Sequence, residues 1–261
     1  MNKTLIVATT ILAIVSPGNG QEASARWIME QNYEQNRVED MEAEFVMKLI
    51  HPKGHERIRQ VVLYAKTNAD GLDKSLIRFM SPADVRGVGL LSIDTPEREN
   101  QWLYLPALQR VRRISSSQKS DSFMSSDFSY EDLESRELED YEYTLSGVEE
   151  LDGIACYRIQ AQPIERLKQT GTTYSRLEMW IEKEHFLAVK VNLYDLKSAL
   201  LKTMKLHDIR QIEGSEKWRG YVIEMQNVKT GHRTELRYAS IKLNSGLEDD
   251  LFTERTLTQF R

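Results

Sequence analysis

Three arginines, Arg110, Arg112 and Arg113, follow closely on the apolar and aromatic side chains Trp102, Tyr104 and Leu105. Guanidinium groups hold phosphates and carboxylates through paired, charge-assisted hydrogen bonds. Apolar side chains beside them can wall a pocket for hydrocarbon. Together they would suit an amphiphile with an anionic head. The same residues can equally form a solvated strand face over an apolar core, the commoner meaning of a charge run. The residues by themselves leave both interpretations open.

Other candidate chemistries find less support. The five histidines, His51, His55, His185, His207 and His232, are scattered, and none stands in the His-Glu-x-x-His spacing of a zinc protease. No Gly-x-Ser-x-Gly elbow occurs, and Ser115 to Ser117 have no identifiable base. Gly87-Val88-Gly89 lacks the third glycine and the following helix of a phosphate loop, so it is expected to be a turn or bulge. The acidic run Glu131, Asp132, Glu134, Glu137, Glu139 and Asp140 is expected to be the solvent face of a helix. Cys156 is the only cysteine, which excludes an internal disulfide and a cysteine-based zinc site. The expectation is a protein that is not an enzyme and uses no metal or cofactor.

These residues must be positioned by a chain of 261 residues, 40% hydrophobic, long enough to bury a sizeable core. Its net charge of −5 and acidic isoelectric point argue against a nucleic-acid partner, which would demand a basic excess. Residues 1–20 read as a secretory signal peptide: Lys3, the apolar run Leu5 to Val15, then Pro17, Gly18 and Gly20. The run is shorter than the ~20 residues that span a bilayer. No cysteine follows for acylation, so residues 21–261 are expected to be one soluble domain in the periplasm.

Ala23 to Asn36 spaces Ala25, Ile28, Met29 and Tyr33 as one helical face. From Glu42 the period becomes two, with Phe45, Met47 and Leu49 on one side, and His51-Pro52-Lys53-Gly54 turns the chain into a second strand over Arg57 to Lys66. Leu177, Met179 and Ile181 alternate in the same way, as do Val189, Val191 and Leu193, and Tyr221, Ile223 and Met225. About a dozen such runs imply an antiparallel meander, and a sheet that long must curl, split or close. Further helical pieces are expected around Ser129 to Leu138 and, as a short turn, near Asp249 to Thr253. The fold class is therefore α+β, a large curved antiparallel sheet under a few helices. So little helix over so much sheet leaves room for a hollow.

The blocks FMSPADVRGVGLLSID, WLYLPALQRVRRI and SFMSSDFSYEDL, between Phe79 and Leu133, resemble the outer membrane lipoprotein-sorting protein family of LolA-like periplasmic proteins. The stretch LNSGLEDDLF, Leu243 to Phe252, is similar too. Phe79, Pro82, Gly87, Trp102, Tyr104, Pro106, the three arginines, Phe123, Asp127 and Tyr130 match as motif positions. Ser125 departs, standing where a glycine is expected.

The resemblance implies an incomplete β-barrel with helices as a lid over an apolar cavity for acyl chains. It implies a periplasmic carrier of lipid or lipoprotein toward the outer membrane, with an inner-membrane transporter of the resistance-nodulation-division type as candidate partner. On this basis Phe79, Leu91, Trp102 and Tyr104, with Leu105, Phe123, Met124 and Phe128, are the expected lipid-binding residues. Arg110, Arg112 and Arg113 are the expected headgroup or lid residues. The competing expectation is an adaptor that docks a transporter and carries no lipid.

Overall fold

The computed structural model describes residues 23–95 and 99–259; the leader expected over residues 1–20 lies outside them. Helix α1 (Ala25–Asn36) begins at Ser24, whose hydroxyl accepts the Trp27 amide at 3.2 Å and so satisfies one of the donors that a helix start leaves unpaired. Ile28 and Met29 are buried beneath it, as the spacing predicts.

Thirteen strands follow among the described residues: β1 (Asp40–Ile50), β2 (Glu56–Thr67), β3 (Asp73–Ser81), β4 (Gly89–Asp94), β5 (Glu99–Leu105), β6 (Arg110–Arg113), β7 (Tyr141–Leu151), β8 (Ile154–Pro163), β9 (Tyr174–Glu182), β10 (Ala188–Asp195), β11 (Leu200–Gln211), β12 (Trp218–Asn227) and β13 (Arg233–Leu243). Two short helices, α2 (Glu165–Thr170) and α3 (Glu254–Thr258), complete the set.

All the strands join one antiparallel sheet in the order β6-β5-β4-β3-β2-β1-β13-β12-β11-β10-β9-β8-β7. Chain neighbours are sheet neighbours except β6 and β7, and β1 also pairs with β13. The two edges, β6 and β7, do not pair, so the sheet stays open. They are nevertheless consecutive in the chain. Residues 114–140 must therefore travel from one edge to the other, and they do so across the inner face, burying Phe123, Phe128 and Tyr130 in the main core with Phe45, Met47 and Phe79.

The register separates the two faces. Leu63, Ile77, Leu90 and Leu103 stand side by side across β2 to β5 on the inner face, with Arg112 next in line on β6. Tyr64, Leu76, Leu91, Trp102 and Arg113 form the matching outer row. That row is covered by the C-terminal segment, whose Phe252 and Leu257 pack on Leu76 and Leu91.

Two expectations are corrected. The helix expected around Ser129 to Leu138 is replaced by short 3-10 turns at Glu131–Leu133 and Leu138–Asp140. The acidic run there is not a solvent face, because Glu131 is buried and the Asp132 side chain is only 2% exposed. The cause is tertiary: the Thr173 amide donates to the Glu131 carboxylate at 2.9 Å, and Ser129, Tyr174 and Lys202 all donate to Asp132. Anchors on both sides hold the backbone out of helical register. The C-terminal turn is a 3-10 turn at Asp249–Leu251 followed by α3.

Ser125, where a glycine was expected, has φ 62°, and Met124 before it has φ 50°. The loop therefore uses the left-handed backbone that glycine adopts most easily, and the serine accepts it.

Leu257 is fully buried on the outer row and Leu108 projects from the turn between β5 and β6. Leu257→Ala is expected to destabilise the protein by about 2–4 kcal/mol in urea unfolding. Leu108→Ala should change it by no more than about 0.5 kcal/mol.

Candidate functional site

The inner face is incompletely filled. Between it, α1 and residues 132–138 lies a cavity of about 590 Å³, well within the ~300–1,000 Å³ of small-molecule sites. Its origin is a row of small side chains. Ala65 pairs with Ser75 and Ser75 with Ser92, so β2, β3 and β4 present no long inward side chain at that level. Ala161 and Ala188 play the same part on the other arm of the sheet. Dense packing needs side chains that meet across the interior, and here they do not.

The remaining wall is mostly apolar. Tyr33 comes from α1, Leu63 and Ile77 from β2 and β3, Leu177 and Val191 from β9 and β10, and Ile223 and Tyr238 from β12 and β13. Met29, Met41, Met179 and Met204 also line it, and thioether side chains adapt to ligands of variable shape.

Three arginines, Arg37, Arg136 and Arg219, line this space. Arg136 is itself exposed, with 35% of its side-chain surface accessible. It borders both the cavity and a polar cleft of about 920 Å³ whose walls include Arg113 and Ser115 on one side and Asp140 and Arg166 on the other. Its nearest carboxylate is Asp132, 3.8 Å away. Arg219 donates to the carbonyls of Gln35 at 2.9 Å and Asn36 at 2.6 Å, and Lys217 donates to that of Glu34 at 2.5 Å. These cations close the C-terminal end of α1, where unpaired carbonyls carry partial negative charge. Burial pushes the Arg219 pKa down, and it makes no ion pair with a carboxylate among the described residues.

Residues 114–140 are tied down by buried polar groups. Asp127 accepts from the Thr234 hydroxyl at 2.7 Å, and His232 Nδ1 lies 2.7 Å from the same oxygen. Arg59 donates to the Met124 carbonyl at 2.6 Å and Gln101 to that of Tyr130 at 3.1 Å. Asp132 accepts from the Ser129 amide and hydroxyl, both at 2.8 Å, from Tyr174 at 2.7 Å and from Lys202 at 2.6 Å. Burial works to raise the Asp132 pKa, but Lys202, Arg136 and the Ser129 amide outweigh it and hold the carboxyl below its usual range. Glu134 moves the other way, since burial prevails over its bond to Lys119.

The residues expected to bind lipid fall in two groups. Phe79, Phe123 and Phe128 come together on the inner face, with the Phe79 and Phe123 rings 5.7 Å apart, and Leu105 and Met124 pack beside them. Leu91, Trp102 and Tyr104 belong to the outer cluster beneath the C-terminal segment. None of the eight lines the cavity. Arg112 bonds the Tyr130 hydroxyl on the inner side, Arg113 lies over the outer face of Trp102 at 6.0 Å, and Arg110 is exposed. Neighbouring strand residues face opposite ways, so these arginines do not converge. The residues that do line the cavity, Ala65, Ser75, Ser92, Arg136 and Arg219 among them, carry no local sequence signal. Only the register brings them together.

No helix among the described residues is long and apolar enough to cross a membrane. No group of three or more histidine, cysteine, aspartate or glutamate side chains that could hold a metal ion occurs among them either.

A family model described as "uncharacterized protein"-like matches residues 71–259. No curated protein matches the chain. Among solved structures, an outer membrane lipoprotein-sorting protein domain from Vibrio parahaemolyticus is 32% identical with a TM-score of 0.83, covering 90% of this chain and 98% of its own. A DUF1329 family protein from Desulfovibrio piger is 31% identical, also with a TM-score of 0.83, over 89% of this chain and 97% of its own. A LolA superfamily protein from Nitrosomonas europaea, 22% identical over 89% of this chain and 99% of its own, shares the fold with a TM-score of 0.71.

The Asp132 cluster makes a pH prediction. A carboxyl with a depressed folded pKa contributes stability that is complete above its unfolded value, about 3.9, and is lost as pH falls through the folded value. Asp132→Asn is expected to lower stability at neutral pH by about 3 kcal/mol, because Lys202 is left buried without its partner. It should also flatten the loss of stability below about pH 4. Chemical denaturation of both proteins across that range checks each point.

Proposed function

The chain belongs to the outer membrane lipoprotein-sorting protein family, and on that premise we propose that it is a periplasmic carrier that shelters the acyl chains of a lipid or lipoprotein in the cavity between sheet, α1 and residues 132–138. The observation that carries this reading is the hollow produced by Ala65, Ser75 and Ser92 in register, under walls that are mostly apolar. Each buried methylene contributes about 0.8 kcal/mol. Ten would contribute about 8 kcal/mol before ordering costs, on the scale of micromolar affinity. That strength suits cargo which must later be released.

In this reading α1 and residues 132–138 are the cover. Arg136, at the junction of apolar cavity and polar cleft, is placed to meet an anionic head, the part assigned from sequence to Arg110, Arg112 and Arg113. Residues 1–20 are the export leader and residues 21–261 one carrier domain. Transfer would proceed toward the outer membrane, with an inner-membrane transporter of the resistance-nodulation-division type as donor. An adaptor without cargo would have no use for the cavity, which favours the carrier. The Vibrio parahaemolyticus domain, 32% identical, is described by lipoprotein sorting, which is in keeping with a protein that moves its ligand unchanged.

The test is displacement of a fluorescent fatty acid from the purified protein. Saturable uptake is expected, and Ala65→Phe, which fills the row of small side chains, should weaken it by about tenfold or more, equivalent to about 1.4 kcal/mol. Native mass spectrometry should find lipid on protein purified from cells and little on the variant. A protein that takes up no probe, with its melting temperature unchanged, would sink the carrier reading.

A further inference from the structure

The two rims of the sheet differ in charge and in apolar exposure. One rim collects the turns β1–β2, β3–β4, β5–β6, β10–β11 and β12–β13, with the longer β8–β9 connection and its exposed Arg166 and Lys168 on the same side. The β12–β13 turn touches two of the others: the His51 and His232 rings lie 6.4 Å apart, and Lys229 pairs with Asp195 at 2.9 Å. Exposed bases stand on every one of them or just beside it, Lys53, Arg86, Arg110, Lys197, Lys229 and Arg233. The acids there are fewer: Glu56 and Asp195 face Lys48 and Lys229, and Asp84 and Glu165 are exposed. The opposite rim exposes Asp70, Asp152, Glu184, Glu213, Glu216 and Asp250. A chain of net charge −5 thus carries a basic end.

The same basic end bears most of the apolar side chains left in water. Leu196 is 69% exposed, Leu108 68%, Ile58 54%, Val228 45% and Met80 36%. Isolated exposed leucines need no explanation. Their concentration on one rim, each close to a lysine or arginine, does. Leu108, Leu196 and Val228 sit on separate turns, and Ile58 and Met80 on the strand ends beside them; they form no continuous apolar patch, whereas a stable protein interface needs a buried core within roughly 800 Å² per partner. A bilayer interface accepts such tips one at a time, between headgroups whose phosphates meet the bases.

We propose that this rim docks the protein, peripherally and reversibly, on an anionic lipid surface. Arg37, Thr67 and Asp73 at the acidic rim line the cavity, whereas Lys53, Leu108, Leu196 and Lys197 do not. Docking therefore leaves the cavity clear of the bilayer, and the inference does not depend on what the cavity carries.

Flotation of the full mature chain with vesicles tests it. Binding is expected to phosphatidylglycerol vesicles and not to phosphatidylcholine vesicles, and it should fall by about tenfold or more from low to high salt. The double variants Leu108→Ser with Leu196→Ser, and Lys53→Glu with Lys197→Glu, should each weaken binding about tenfold at unchanged melting temperature, since all four side chains are exposed. Glu213→Lys, on the opposite rim, should not weaken it. Binding should survive Ala65→Phe, which separates docking from uptake of lipid as cargo. Absence of binding, equal binding to neutral vesicles, or indifference to the rim variants would overturn the proposal. So would capture of an acidic protein by this rim without any flotation.

Discussion

An open sheet whose two edge strands are consecutive in the chain must be bridged by the segment between them, and that constraint shapes everything inside this molecule. Residues 114–140 cross the inner face. Their backbone does not pair with the sheet as a further strand, so side chains must secure it. Asp127, Glu131 and Asp132 do so, each carboxylate accepting from groups on strands far away in sequence. Buried carboxylates are costly unless fully bonded. Their bonding across the interior is what makes the crossing segment a fixed part of the wall.

The cavity exists because this segment fills one part of the interior and small side chains leave another part unfilled. Phe123 and Phe128 pack on Phe79 toward the basic rim, while Ala65, Ser75 and Ser92 leave space on the other side of the same strands. Helix α1 roofs that space. It is held by Arg219 and Lys217 at its C-terminal carbonyls and by Asn32, which donates to the Phe186 carbonyl at 2.6 Å. Arg26 ties its start to the Leu138 carbonyl at 3.1 Å, and Ile28 and Met29 are buried in the main core.

The motif blocks that carry the family resemblance serve the architecture more than the cavity. Phe79, Phe123 and Tyr130 build the packed part of the inner face, Trp102 and Leu91 the outer face, and Ser125 the left-handed turn of the crossing segment. The strands around the cavity follow a looser rule: apolar or small, pointing inward. Such positions are interchangeable one by one and make no recognisable pattern.

The sequence by itself determined the alternating strands, their antiparallel character and the first helix, because alternation and helical spacing are local properties of which side chains prefer to leave water; that β1 pairs with β13 and the edges fall at β6 and β7 was a matter of tertiary structure. It also determined that Arg112 and Arg113 cannot share a face, a consequence of strand geometry alone. Only the tertiary structure decided that 129–138 is not a helix, that its acids are buried, and that Arg136 and Arg219 reach the cavity. Those outcomes depend on partners forty or more residues away and on strand register, and neither is written in any local stretch of the chain.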